Sequence, residues 1–182
     1  EARLAAGQPL DRIASVASFF VSRVDTKVDQ QVPEDSPLRG KIAIANARLA
    51  YARFNAIFTS PRWEALREEG ARVQRPLWAS TSTKNPAYRD VMYVEDLLGP
   101  HTVNTVPEAT LHAVIDHANI RPTLLEDNAT WVGYLDQLPA AGIDIDTVTD
   151  ELLTEGLGSF QKSFEELLDR IRDTLGSAQP AG

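Results

Sequence analysis

At 182 residues, with 43% hydrophobic and 24% charged residues, the sequence is long and apolar enough to bury the core of one folded domain, or of part of one. Its 18 Lys and Arg stand against 26 Asp and Glu, and the resulting net charge of −8 excludes a nucleic-acid surface, which needs clustered cations; an anionic ligand must be met by a local pocket. No cysteine is present, which excludes disulfides, thiolate catalysis and thiolate metal sites and fits a cytoplasmic protein; the apolar stretches are too short for a membrane span, and no secretory signal is visible.

The first seven residues read as the last turns of a helix, closed by Gly7 and stopped by Pro9, as though the chain began inside an element. Residues 13–24 read as a strand whose apolar continuity suits a parallel sheet covered on both faces. A polar loop over 31–38 follows. Over 39–58, Ile42, Ala45, Leu49, Ala52 and Phe54 give helical spacing, and residues 61–69 form a shorter helix ended by Gly70. A second strand is expected over 75–81, a weak helical pattern over 88–98, and a third strand over 101–106. Pro107 then opens a helix over 108–117 whose acidic start suits the helix dipole. Residues 129–137, 146–155 and 160–175 read as three helices separated by Gly and Pro breaks. The last carries Phe160, Phe164, Leu167, Leu168, Ile171 and Leu175 on one stripe, read as core packing. Residues 177–182 are expected to be a flexible tail on a single domain spanning 1–176.

Strand and helix alternate as in a parallel α/β barrel or doubly wound sheet. A complete (β/α)8 barrel takes about 250 residues, and three parallel strands alone leave two edges that invite pairing. The expectation is therefore a piece of a barrel, completed by strands from elsewhere.

In the first strand Ser18, Phe20 and Ser22 share one pleat face, so an inward face would put Ser18 and Phe20 in the barrel lumen. Arg23 then emerges at the C-terminal mouth, where such barrels keep their active sites, with Ser80 and Lys84 at the corresponding end of the second strand. Two cations and a hydroxyl can clamp one phosphate, which favours a sugar phosphate over a free sugar. The structural alternative is that Arg23 pairs with Asp25 or a carboxylate of the next helix and that Lys84 is solvated.

Ser18-Phe-Phe-Val-Ser-Arg23 resembles the Ser-x-Phe-x-x-Arg pattern on the sixth barrel strand of transaldolases. Ala79-Ser80, followed by Lys84-Asn85, is similar to the end of their seventh strand, with two extra residues before a cation that is usually arginine. Trp-Ala-Ser-Thr-x-x-Lys-Asn-Pro and Asp-Leu-Leu-Gly-Pro-x-Thr-Val-Asn-Thr-Val-Pro look like the actinobacterial and cyanobacterial branch, and the resemblance spans essentially the whole chain.

The resemblance implies an α/β fold, the C-terminal part of a (β/α)8 TIM barrel from about strand 6 to strand 8, with additional C-terminal helices. It implies a transferase of the pentose phosphate pathway. A lysine forms a Schiff base with a ketose phosphate and a dihydroxyacetone unit passes to an aldose phosphate, with no cofactor and no metal. It assigns Arg23, Ser80 and Lys84 to the substrate phosphate and Ser18 and Phe20 to the substrate pocket. The reactive lysine and its carboxylates lie on strands upstream of Glu1, so this chain alone is expected to be inactive and to need the N-terminal half of the barrel as partner. Two alternatives stand beside this. One is a non-catalytic fragment that associates with its missing half or with itself. The other is a different class I aldolase using Lys84, the one of the four lysines (27, 41, 84 and 162) near a strand end.

Two clusters carry less. His112 and His117 are five apart and face different ways, unlike an i, i+4 metal pair. Asp144, Asp146 and Asp150 with Glu155 have a calcium-loop spacing, but Val148 and Thr149 occupy positions that need an oxygen ligand and a glycine, so helix capping explains them better.

Overall fold

A computed structural model describes residues 1–177; the rest of the expected tail, 178–182, lies outside the described residues. The chain divides into two compact units, residues 1–143 and 144–182.

The first unit is built on three parallel strands in the order β1 (Ser15–Phe20), β2 (Gln74–Ala79) and β3 (Val103–Asn104). β1 pairs with β2 from Ser15 opposite Gln74 to Phe20 opposite Ala79, whereas β3 reaches only Leu77 and Trp78. That short third strand lets Pro76, which has no N–H for a ladder, sit inside β2 where it has a neighbour on one side only. The face of β1 carrying Ser18 and Phe20 is exposed, while Phe19 on the other face meets the buried Trp78 edge to face at 5.8 Å.

Helices cover the buried face. After α1 (Ala2–Ala5) and β1 comes α2 (Ser22–Asp29), where the sequence reading continued the strand to residue 24. The spacing of Val21, Val24, Asp25 and Val28 explains the difference, since all four are buried and recur at three and four residues, a helical stripe rather than a pleat. Then follow α3 (Ile42–Phe58), α4 (Pro61–Glu68), α5 (Met92–Glu95), α6 (Glu108–His117) and α7 (Ala129–Asp136). The weak pattern over 88–98 thus forms a single helical turn, α5.

α3 is the central support. Its buried stripe runs through Ile44, Ala47, Arg48, Tyr51 and Phe54, whereas Leu49, read as apolar and inward, is 55% exposed. Arg48 is 2% exposed. Its guanidinium donates to Asn128 Oδ1 at 2.7 Å and to the carbonyls of Thr123 at 2.8 Å, Asp96 at 3.1 Å and Glu126 at 3.3 Å, and it lies 5.5 Å from the Trp131 ring centroid. One buried cation thereby ties α3 to the segments before β3 and around α7. Trp78 anchors the sheet to the same layer by donating to the Leu97 carbonyl at 2.9 Å.

Among its described residues the second unit forms one continuous helix, α8 (Ile145–Ser177), of 33 residues, where two helices and a break were expected. Gly156 and Gly158 do not interrupt it: glycine costs about 1 kcal/mol in a helix interior but does not forbid one. Asp144 caps its start, accepting from the Asp146 N–H at 3.2 Å and the Thr147 hydroxyl at 2.8 Å, as capping predicts. Most of the stripe read as core is exposed, Phe160 by 61%, Phe164 by 60% and Leu167 by 53%, while Leu168 is half-buried.

Candidate functional site

The parallel pairing delivers the exits of β1 and β2 side by side. The ladder continues past both strands, with Val21 N–H donating to the Ala79 carbonyl at 2.9 Å and Ser22 N–H to the Ser80 carbonyl at 3.0 Å. The hydroxyls of Ser22 and Ser80 then meet at 2.9 Å. Ser80 turns there with φ of 56°, in the left-handed region that non-glycine residues rarely enter, so the chain leaves β2 by a bend held by its neighbours.

Arg23 follows immediately, in the first turn of α2, with its guanidinium 5.0 Å from the Phe20 ring centroid. That stacking, at the close range of a cation–π contact, holds the fork beside the strand end. The structural alternative for Asp25 does not describe its bonding: Asp25 accepts from the Ala43 N–H at 2.8 Å and from the Tyr93 hydroxyl at 2.8 Å. Burial pushes its carboxyl up to about 6, against the opposing pull of those two donors and of Ile42 N–H, while Asp29 nearby adds to the rise. The same neighbourhood pushes the Tyr93 and Tyr88 hydroxyls well above the ordinary tyrosine value, burial first in both.

Lys84 lies four residues past Ser80, exposed, and donates to Ser82 Oγ at 2.8 Å. It lines a cavity of about 310 Å³ with Asn85, Asp25, Asp29, Arg39, Tyr88 and Tyr93. Ser18, Phe20, Arg23 and Ser80 are not part of that wall. The structure thus brings Ser80 against Ser22, next to Arg23 and Phe20, and sets Lys84 on a neighbouring rim. Sequence reasoning missed Ser22 as the partner of Ser80 and missed the Asp–Tyr pairs altogether. Reading 22–29 as a helix is the signal that finds them, because it puts Asp25 and Asp29 on one face.

His112 approaches Glu108 at 3.6 Å and His117 approaches Asp90 at 2.9 Å, and both are surface contacts. No group of three or more metal-ligating side chains occurs among the described residues.

A sequence profile of the Transaldolase/Fructose-6-phosphate aldolase family matches residues 1–171. The chain belongs to that family. A transaldolase of Saccharopolyspora erythraea is 52% identical over 177 residues, covering 95% of this chain and 48% of the relative. One of Parafrankia is 49% identical, covering 98% and 50%. Transaldolase 2 of Nostoc punctiforme is 46% identical, covering 99% and 51%. The chain therefore spans about half the length of these curated relatives. Membership, and likeness to actinobacterial and cyanobacterial transaldolases, accords with the resemblance read from the strand-end motifs. The α/β class with parallel strands accords with it too. No helix among the described residues is long and apolar enough to cross a membrane.

Proposed function

We propose that this chain is the C-terminal, phosphate-binding part of a transaldolase-type (β/α)8 barrel and acts in the transfer of a dihydroxyacetone unit from a ketose phosphate to an aldose phosphate. The observation that carries the reading is the joined exit of β1 and β2, where the Ser22–Ser80 contact and Arg23 stand at the C-terminal end of parallel strands, with Lys84 on a neighbouring rim. Arg23 offers a bidentate fork, Ser80 a hydroxyl and Lys84 a point charge to one phosphate, with Ser18 and Phe20 facing the sugar. The Schiff-base lysine and its proton-moving carboxylates belong, by the family resemblance, to preceding strands, which would also cover the exposed face of β1. Cytoplasmic sugar-phosphate metabolism in the pentose phosphate pathway is the matching context. Lys84 as the Schiff-base amine fits less well, since the residue is exposed and its nitrogen donates to Ser82 Oγ at 2.8 Å.

The test is transfer from fructose 6-phosphate to an aldose phosphate by the chain alone and mixed with the N-terminal half of the Saccharopolyspora relative. The expected result is no turnover alone and turnover in the mixture, with KM for the phosphorylated substrate raised roughly tenfold or more by Arg23→Ala, the loss of a charge-assisted contact. Turnover by the chain alone, or a mixture indifferent to Arg23→Ala, would overturn it.

The open edge and exposed face of β1 favour one second reading, a non-catalytic piece that pairs with its missing half or with a copy of itself. Concentration-dependent association in sedimentation, with no turnover in the mixture, is its signature.

A further inference from the structure

Asp25 and Asp29 lie one turn apart on α2 and make matching contacts to different partners. Asp25 accepts the Ala43 N–H and the Tyr93 hydroxyl, both at 2.8 Å. Asp29 accepts the Gly40 N–H at 3.1 Å and the Tyr88 hydroxyl at 2.6 Å. Each carboxylate thus bolts α2 to the start of α3 on one side and to the segment after β2 on the other. Both partners of each are donors. A carboxylate, which only accepts, suits them, whereas an amide would turn an N–H toward a donor.

The two joints connect the helix that carries Arg23 to the segment that follows Lys84. Arg23 is two residues before Asp25, in the same first turn of α2. Lys84 precedes Asn85, whose carbonyl accepts the Tyr88 N–H at 3.1 Å and whose side chain accepts the Ala87 N–H at 2.9 Å, so a closed turn links Lys84 to Tyr88. Tyr88 is pressed on Gly40, whose missing Cβ would lie 2.8 Å from the ring. These bonds tie the helix that carries Arg23 to the turn that follows Lys84.

We propose that Asp25 and Asp29 are positioning residues that, through Tyr93 and Tyr88, set the distance between Arg23 and Lys84 and so the width of the anion grip. The proposal rests on the reading of Arg23 and Lys84 as phosphate ligands. It makes the grip pH-dependent: as pH falls through about 6, buried Asp25 takes up a proton and its bonds to the surrounding donors weaken. The titratable and charged groups facing it are Asp29 on α2, Tyr93 on α5, and Tyr88, Arg39 and Lys84 around the same cavity, with the N–H groups that begin α3.

The test follows the Asp25 carboxyl and the Arg23 and Lys84 resonances of the 182-residue chain by NMR from pH 5 to 7.5. Sulfate is the probe, because its charge is constant over that range. The expected result is that Arg23 and Lys84 shift with the Asp25 midpoint and that sulfate affinity falls several-fold toward pH 5. Tyr93→Phe removes a bond to the ionised form and should move that midpoint up by about one pH unit. A step that Tyr93→Phe leaves in place would belong to groups other than Asp25. Asp25→Asn should erase the step; if it does not fold, Tyr93→Phe decides. Arg23 and Lys84 resonances that ignore Asp25, or a sulfate midpoint unmoved by Tyr93→Phe, would overturn the proposal. A chain that binds no sulfate, yet whose two cations follow Asp25, would uphold the positioning and refute the phosphate reading instead.

Discussion

The hydroxyls of Ser22 and Ser80 lie 2.9 Å apart although 58 residues separate them, and both residues stand just past the ends of paired parallel strands. Ser22 is 1% exposed, so water cannot readily replace the contact. Ser22→Ala should cost about 0.5–1.5 kcal/mol in urea unfolding, the net worth of one hydrogen bond. A variant as stable as the parent would mean that the bend at Ser80 holds without it.

Arg48 is a larger stake. Replacing it with Met strands acceptors on several segments of the first unit, and the expected loss is about 2–4 kcal/mol. Arg48→Lys should be nearly as damaging, because one ammonium cannot serve acceptors that a planar fork reaches in different directions. Chemical denaturation of both variants checks this, and a fully stable Arg48→Lys would show that charge alone suffices.

Gly40 has φ of 66° and touches Tyr88 where a Cβ would stand. Gly40→Ala should cost upward of about 2 kcal/mol, from backbone strain together with the clash. Adding Tyr88→Ala should recover the part due to the clash and leave the backbone part, so the double-mutant cycle should be strongly non-additive.

The Asp25 carboxyl, raised from the usual 3.8 to about 6, holds its proton more tightly in the folded chain than in the unfolded one. Between these values the native state binds more protons, so raising the pH strips them from the native state and lowers stability. The change is on the order of 3 kcal/mol between about pH 4 and 6. Asp25→Asn should lack that slope. Unfolding of both proteins across this range, compared as a difference, isolates the group from the other carboxyls.

Much of this was legible in the sequence where one strong local signal acted alone. Pro107 before an acidic turn marks α6, whose ends match the expectation at Glu108 and His117. Ser60 and Pro61 open α4 in the same way, with Ser60 Oγ accepting the Trp63 N–H at 3.3 Å. Legibility failed where tertiary contacts chose between local options. The apolar run of β1 carries into Val21 and Val24 without a break, and only their shared burial with Val28 separates helix from strand. Gly156 and Gly158 looked like a break in α8 but are merely weak helix formers. At the site, Arg23 and Ser80 were readable as residues at the strand exits. Asp25 was not, because a carboxylate two residues from an arginine looks like its ion-pair partner until its real donors, at positions 43 and 93, are brought to it by the fold.

The reach of Arg48 also constrains how the chain is made. Its most distant hydrogen-bond partner, Asn128, leaves the ribosome 80 residues after it. At ~5–20 residues per second that delay is about 4–16 s. During that interval the acceptors arrive one by one, Asp96 after 48 residues and Thr123 after 75, and the set around the α3 cation stays incomplete. The segment that supports the whole first unit is thus synthesised early and seated late, so vectorial folding cannot lock it turn by turn. Its final docking waits for a non-local closure, which makes slow elongation between positions 48 and 128 a period of exposure for the emerging polypeptide.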